Sequence, residues 1–386
     1  MGVVQRSVVG REVYLDNLKV VLITAIIVIH AVLGYAGLVQ VWTYTELREV
    51  TLSPVTEFLV FIVAAPFGFF LIGLLFLVAG LFTAPSLDRK GVAAYTRDRV
   101  LRLGVPYLVY VLAVQPTVTY LLGHPLGDAP GSFGEEYLAE EGSHRLDSGP
   151  LWFVGTLLVF SLGYAAWVVL DRRFGGPRAT PVVTVRGLSG LAAGVGVVSV
   201  AVRVVAPYGS EAGVLDLNYW EWPGCLAAFC LGIVAAGQGW SRQVPSTLAR
   251  RCRNVTLVAG AGMFALLLVA GVRDVVETEL LGGPHLLAVG FSAADALLVV
   301  FGPVWLLSVA QSRLRGQLPW GPTLARSAFA AFILQTPVLI GLAMALRGVD
   351  LPAEVKALAV AAGGVAGSYA LAHLLITRVP GAARIL

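Results

Sequence analysis

Charge is scarce in this chain. Of its 386 residues, 13% are Asp, Glu, Lys or Arg, against about a quarter in an average soluble domain. That excludes an ordinary water-soluble enzyme, whose surface needs more charge, and a disordered chain, which is both more charged and less apolar. Cysteine is scarce as well. Cys225 and Cys230 lie in an apolar run and Cys252 lies beside arginines. Three thiols so placed have neither metal-ligand spacing nor the pattern of a disulfide framework, so no metal is expected. Lysine occurs only at positions 19, 90 and 356, leaving arginine to carry most of the positive charge. No stretch reads as a soluble domain, no long internal repeat is visible, and no nucleic-acid partner is expected.

What is present is apolar. Hydrophobic residues make up 57% of the chain, too much for one globular core, and the mean hydropathy is +0.81. The apolar residues fall in runs of about twenty, the length that crosses about 30 Å of hydrocarbon as a helix. Ten runs are predicted, at 19–38, 57–82, 104–122, 151–170, 187–206, 222–239, 255–272, 286–310, 323–346 and 354–377. The first is too long for a signal-peptide core, no small-residue cleavage site follows it, and Lys19 and His30 lie within it, so it reads as a true first helix. The expected architecture is an all-α, polytopic membrane bundle in a single domain over 1–386. Glycine is abundant, at 44 residues. The pairs Gly190/Gly194 and Gly363/Gly367 have the spacing that lets membrane helices approach closely.

The net charge of +4 hides an asymmetry. The N-terminal segment, the even-numbered connections and the C-terminal tail hold 21 of the 27 basic residues. The second connection alone has Arg89, Lys90, Arg97, Arg99 and Arg102. The odd-numbered connections hold most of the acidic residues, including Glu135, Glu136, Glu140, Glu141 and Asp147 of the long third one. Basic connections stay in the cytoplasm, so an even number of helices with both termini cytoplasmic is predicted.

Ionisable groups within such runs are costly and are therefore functional candidates. His30 follows Lys19 by eleven residues, about 16 Å along a helix, and the two lie within about 20° of the same face. Lys19 is placed at the cytoplasmic mouth and His30 deep in the membrane. Asp295 is at a similar depth in the eighth run. It either orients His30 or serves as a structural partner of a helix-end carbonyl, a hydroxyl or Arg203. Arg97, Arg99 and Arg102 form the densest basic patch, and arginine forks suit phosphates. The other reading of that patch is plain topology signalling and attraction to anionic lipid. Trp152, Tyr219, Trp220 and Trp222 mark outer helix ends, as an interfacial aromatic belt or as faces on which sugars stack.

Four segments carry a family resemblance. REVYLDNLKVVLITAIIVIH, with Lys19 and His30 separated by ten residues, resembles the first helix of the membrane-bound acyltransferase 3 family. Its prelude, Tyr14-Leu15-Asp16-Asn17, looks most like the branch containing glucan biosynthesis protein C. FLVAGLFTAPSLDRKGVAAYTRDRVLRLGVPYL resembles the family's second helix and the turn after it, with Arg97, Arg102 and Pro106 in the matching positions. GPLWFVGTLLVF resembles the element that opens the fourth helix, with Leu151, Trp152 and Phe153. LARSAFAAFILQTPVL is a weaker match. Many relatives would have a tyrosine at Phe332 and a histidine at Gln335.

The resemblance implies transfer of an acyl group, acetyl or succinyl, from acyl-coenzyme A as co-substrate, with no tightly bound cofactor. The acceptor would be a hydroxyl of an envelope carbohydrate, a lipid or a small molecule. His30 would be the general base, Asp295 its orienting acid, and Lys19, Arg97, Arg99 and Arg102 would hold the donor's phosphates. Trp152, Phe153 and Gln335 would lie on the acceptor side or hold the fold. The arginine-rich, lysine-poor composition points to a bacterial plasma membrane. The alternative is a proton-coupled transporter using His30 and Asp295 as a relay.

Overall fold

A computed structural model describes residues 13–37, 48–126, 132–134, 147–174, 181–210, 215–272, 277–316 and 320–385. Glu135, Glu136, Glu140 and Glu141 lie outside them. The described residues form helices and connections, without a strand. Ten helices are long and apolar enough to cross a membrane. They are α1 (Val13–Leu33), α2 (Pro54–Lys90), α3 (Val92–Leu121), α4 (Trp152–Phe174), α5 (Val185–Val205), α6 (Trp222–Gly237), α7 (Ser246–Val272), α8 (Leu286–Arg313), α9 (Gly321–Leu346) and α10 (Ala353–Arg378).

The largest departure from the expected spans is at residues 83–103. The sequence places a basic connection there, but α2 runs to Lys90 and α3 begins at Val92. Only Gly91, at φ +76°, separates them. A positive φ suits glycine, which has no Cβ to clash. α3 is itself irregular, with π-helical turns at Val100–Gly104 and Tyr110–Val114. The widened bonds run from the Val105 amide to the Val100 carbonyl and from the Gln115 amide to the Tyr110 carbonyl. Each donor immediately precedes a proline, Pro106 or Pro116. A helical proline lacks its own N–H and crowds the turn before it, and each widened turn lies where that crowding falls.

Helices α1, α9 and α10 pack on one another, and α8 packs on α2, α5 and α7. α2 and α6 cross in backbone contact. A Cβ at Gly80 would lie 2.1 Å from the Phe229 carbonyl oxygen, and one at Gly232 would lie 2.2 Å from that of Leu77. The expected close-packing pairs divide. Gly363 and Gly367 face Leu342 and Val338 of α9, each at 3.0 Å from a built Cβ. Gly190 and Gly194 meet nothing within 4 Å among the described residues, so their spacing serves no crossing between described helices.

Hydrogen bonds between connections join like with like. Among the odd-numbered ones, Gly348 donates to Glu49 at 2.9 Å, Ser53 N donates to Glu354 at 2.9 Å, and Ser148 Oγ donates to the Asp216 carbonyl. At the opposite end, Asn17 donates to the carbonyls of Leu314 and Gly316, both at 2.8 Å, and Tyr14 donates to that of Ser241. Gln238 Nε2 donates to the Pro181 carbonyl at 2.8 Å. The short helix Ala382–Ile385 packs on the first π turn of α3. The chain therefore has a basic end and an acidic end.

Candidate functional site

His30 is the eighteenth residue of α1 and Gln335 the fifteenth of α9. Each is therefore about 20–25 Å along its helix from the basic end. Their depths match, α1 packs on α9, and His30 Nδ1 lies 3.0 Å from Gln335 Oε1. An amide oxygen only accepts, so Nδ1 carries the proton and the other ring nitrogen, Nε2, is the unprotonated one in the neutral ring. Gln335 is fully buried, whereas His30 keeps accessible surface. Among the described residues, Gln335 Nε2 has no hydrogen-bond partner.

A run of polar side chains continues from here toward the acidic end. Thr336, next to Gln335, has its hydroxyl 3.2 Å from that of Tyr110, which lies 2.9 Å from Gln115 Oε1. Gln115 Nε2 donates to Asp147 Oδ2 at 2.5 Å, and the Gly149 amide donates to Asp147 Oδ1 at 2.7 Å. The second π turn widens the spacing between Tyr110 and Gln115, which are five residues apart and bonded. Gly149, at φ +44°, lets this chain close: a Cβ there would lie 2.8 Å from the Tyr110 hydroxyl. None of these four side chains stood out in the sequence. They are neutral or loop residues, and their partners lie on other elements.

The wall beside the site is aromatic. Phe332, one turn before Gln335, packs edge-on to Phe153 with ring centres 6.2 Å apart, and Phe153 packs on Phe76 at 4.8 Å. Phe153 is thus brought next to the His30–Gln335 pair, with Trp152 half-buried beside it in the same hydrophobic core. At the acidic end, Trp220 is buried against Tyr208, with ring centres 4.0 Å apart. Trp222 donates its indole N–H to the Leu217 carbonyl at 3.0 Å.

Asp295 lies elsewhere. It accepts from Arg203 Nη2 at 2.5 Å, and Arg203 Nη1 donates to Ser292 at 3.0 Å. Arg203 also lies over the rings of Tyr208 and Phe291, at 5.3 and 5.5 Å. Both members of the pair are buried, on α5 and α8. Of the two expected arrangements, the structure has the Arg203 pairing. The imidazole has a carboxamide beside it where the sequence offered a carboxylate.

At the basic end, Lys19 is exposed, 3.6 Å from Asp16. Arg97 is exposed on the first turns of α3. Arg99 and Arg102 do not act as a pair. Arg99 lies over the Tyr95 ring at 5.0 Å, and Arg102 lies 3.3 Å from Asp98, which also accepts from Lys90 at 2.9 Å. Among the described residues, no three His, Cys, Asp or Glu side chains are grouped to hold a metal ion.

The protein is thus a multi-pass helical membrane protein with an imidazole–carboxamide pair at mid-depth. A family model described as an acyltransferase domain matches residues 12–376, nearly the whole chain. The chain belongs to the acyltransferase 3 family and is a membrane acyltransferase. No curated protein and no solved structure matches it.

Proposed function

We propose that the protein moves an acyl group, acetyl or succinyl, from cytoplasmic acyl-coenzyme A to a hydroxyl of an envelope glycan, lipid or small molecule, with His30 as general base. The observation that carries this reading is the His30–Gln335 hydrogen bond. It holds one imidazole tautomer, with Nε2 unprotonated, at the depth where a donor from one face and an acceptor from the other would meet. The excess of arginine at the basic end orients that end toward the cytoplasm of a bacterial plasma membrane. Lys19, Arg97 and Arg102 are exposed there for the donor's phosphates, and Arg99 is half-buried. The pantetheine arm would follow α1 inward for about 16 Å from Lys19 to His30. The acceptor would enter from the acidic end, past Trp152 and Phe153.

The acceptor hydroxyl attacks the thioester carbonyl carbon as His30 Nε2 takes its proton. The carbon–sulfur bond then breaks, the electron pair leaves on sulfur, and the imidazolium returns the proton to the thiolate. Ester and free coenzyme A are the products. No covalent enzyme intermediate is required, so no reactive cysteine is needed. Transport through a His30–Asp295 relay gains nothing from the structure, since Arg203 holds Asp295.

The test is acyl transfer by the purified protein in nanodiscs, with radiolabelled acetyl- or succinyl-coenzyme A and envelope extracts as acceptor. His30→Ala should insert and migrate as the parent does and lose about 10²–10⁴-fold in transfer rate. Full activity in that variant would remove His30 from the chemistry.

A further inference from the structure

We propose that Gln335 is itself catalytic, its carboxamide Nε2–H donating a hydrogen bond to the oxyanion that forms on the thioester carbonyl oxygen. This rests on the reading of His30 as general base and adds the electrophilic half of the site. One amide then does two things: Oε1 fixes the tautomer of the base, and Nε2 stabilises the charge that the base helps to create.

Three observations support it. Gln335 has no exposed surface, yet its Nε2 has no partner among the described residues. A buried donor left unpaired is costly in a folded protein, and such groups mark places where something else binds. A leucine or methionine of similar size would fill the same space without that cost. The neighbouring polar groups are engaged elsewhere: the Thr336 hydroxyl is bonded to Tyr110, and Tyr110 to Gln115. Finally, the donor is on the same planar head as the oxygen that touches His30 Nδ1 at 3.0 Å. The proton acceptor and the anion stabiliser of an acyl transfer must both reach the groups around one carbon, and this pair is compact enough for that. The surrounding wall, with Phe332 one turn away and Phe153 against it, is apolar and strengthens such a bond.

The electron count follows. As the acceptor oxygen bonds to the carbonyl carbon, the C=O π pair moves onto oxygen, where Gln335 Nε2–H meets it. When the pair returns to re-form C=O, the C–S bond breaks and coenzyme A leaves as the thiol, protonated from His30. Gln335 neither gains nor loses a proton.

The experiment uses the full-length protein in nanodiscs and acetyl-coenzyme A labelled with ¹³C at the thioester carbonyl. Infrared difference spectra report the bound carbonyl stretch, and transfer rates are measured in parallel. The stretch should lie below its free value in the parent and in His30→Ala, and return to the free value in Gln335→Met. Transfer should fall about 10²–10³-fold in Gln335→Met. It should stay low in Gln335→Glu, which keeps an acceptor for His30 Nδ1–H. A lowered stretch that survives in Gln335→Met overturns the proposal, as does full activity in Gln335→Glu, because tautomer control alone would then suffice. The base reading fails by a different result, full activity in His30→Ala, which leaves the carbonyl shift untouched.

Discussion

His30 and Gln335 are 305 positions apart and meet because α1 and α9 pack side by side. His30 was legible as an anomaly, since an imidazole eleven residues into an apolar run has no cheap explanation. Gln335 was legible only as a departure from relatives. Its partner was not, because depth along a helix does not say which helices are neighbours. Asp295 shows the same limit from the other side. Its depth was compatible with His30, but α8 packs on α5, and Arg203 of α5 reaches it first. The pair is buried at 2.5 Å, with Glu221 as a further charged neighbour of Arg203, so removing Asp295 takes away the guanidinium's hydrogen-bonded carboxylate. Asp295→Asn should destabilise the protein by about 3–5 kcal/mol, whereas the double change Arg203→Met with Asp295→Leu should recover most of that. Thermal unfolding in detergent measures both. The pH–rate profile of the folded Asp295→Asn fraction should match the parent. A displaced profile would return Asp295 to the chemistry.

At the scale of the element, two devices shape this bundle. One is the proline-directed π turn, which the tertiary contacts then exploit. The turn at Tyr110–Val114 puts Tyr110 and Gln115 in register with Thr336 and Asp147. The other is backbone contact through glycine. Small-residue spacing alone named Gly190/Gly194 and Gly363/Gly367, but only the second pair faces a helix. The tightest crossing among the described residues, Gly80 on Gly232, is made by one glycine from each of two helices, and neither has a second glycine four residues away. Gly80→Ala should cost at least about 1–3 kcal/mol, since backbone cannot yield as a side chain does. Gly190→Ala should change stability by less than about 0.5 kcal/mol, as expected for a site facing nothing. Equal unfolding midpoints for the two variants would contradict the crossing.

At the scale of the whole molecule, charge divides the chain into two ends, and bonds such as Asn17 to Leu314 and Glu49 to Gly348 hold connections of the same kind together. If the basic end is cytoplasmic, alkaline phosphatase fused after Asp350 should be active in a bacterial cell, while a fusion after Gly316 should be silent. The reverse result would invert the membrane orientation and the entry sides of donor and acceptor with it. The sequence by itself determined the helical class, the number of apolar spans, the charge polarity and His30 as an anomaly. All of these are local or compositional: a run long enough to cross hydrocarbon and the cost of an ionisable group within it are read from one segment at a time. Only the tertiary structure decided that Gln335, and not Asp295, meets the imidazole, that Arg203 takes Asp295, and that Tyr110, Gln115 and Asp147 continue the polar run. Each of these depends on which helices are neighbours. In a membrane every helix presents much the same apolar surface to lipid, so that choice lies in side-chain fit and close backbone approach across the bundle.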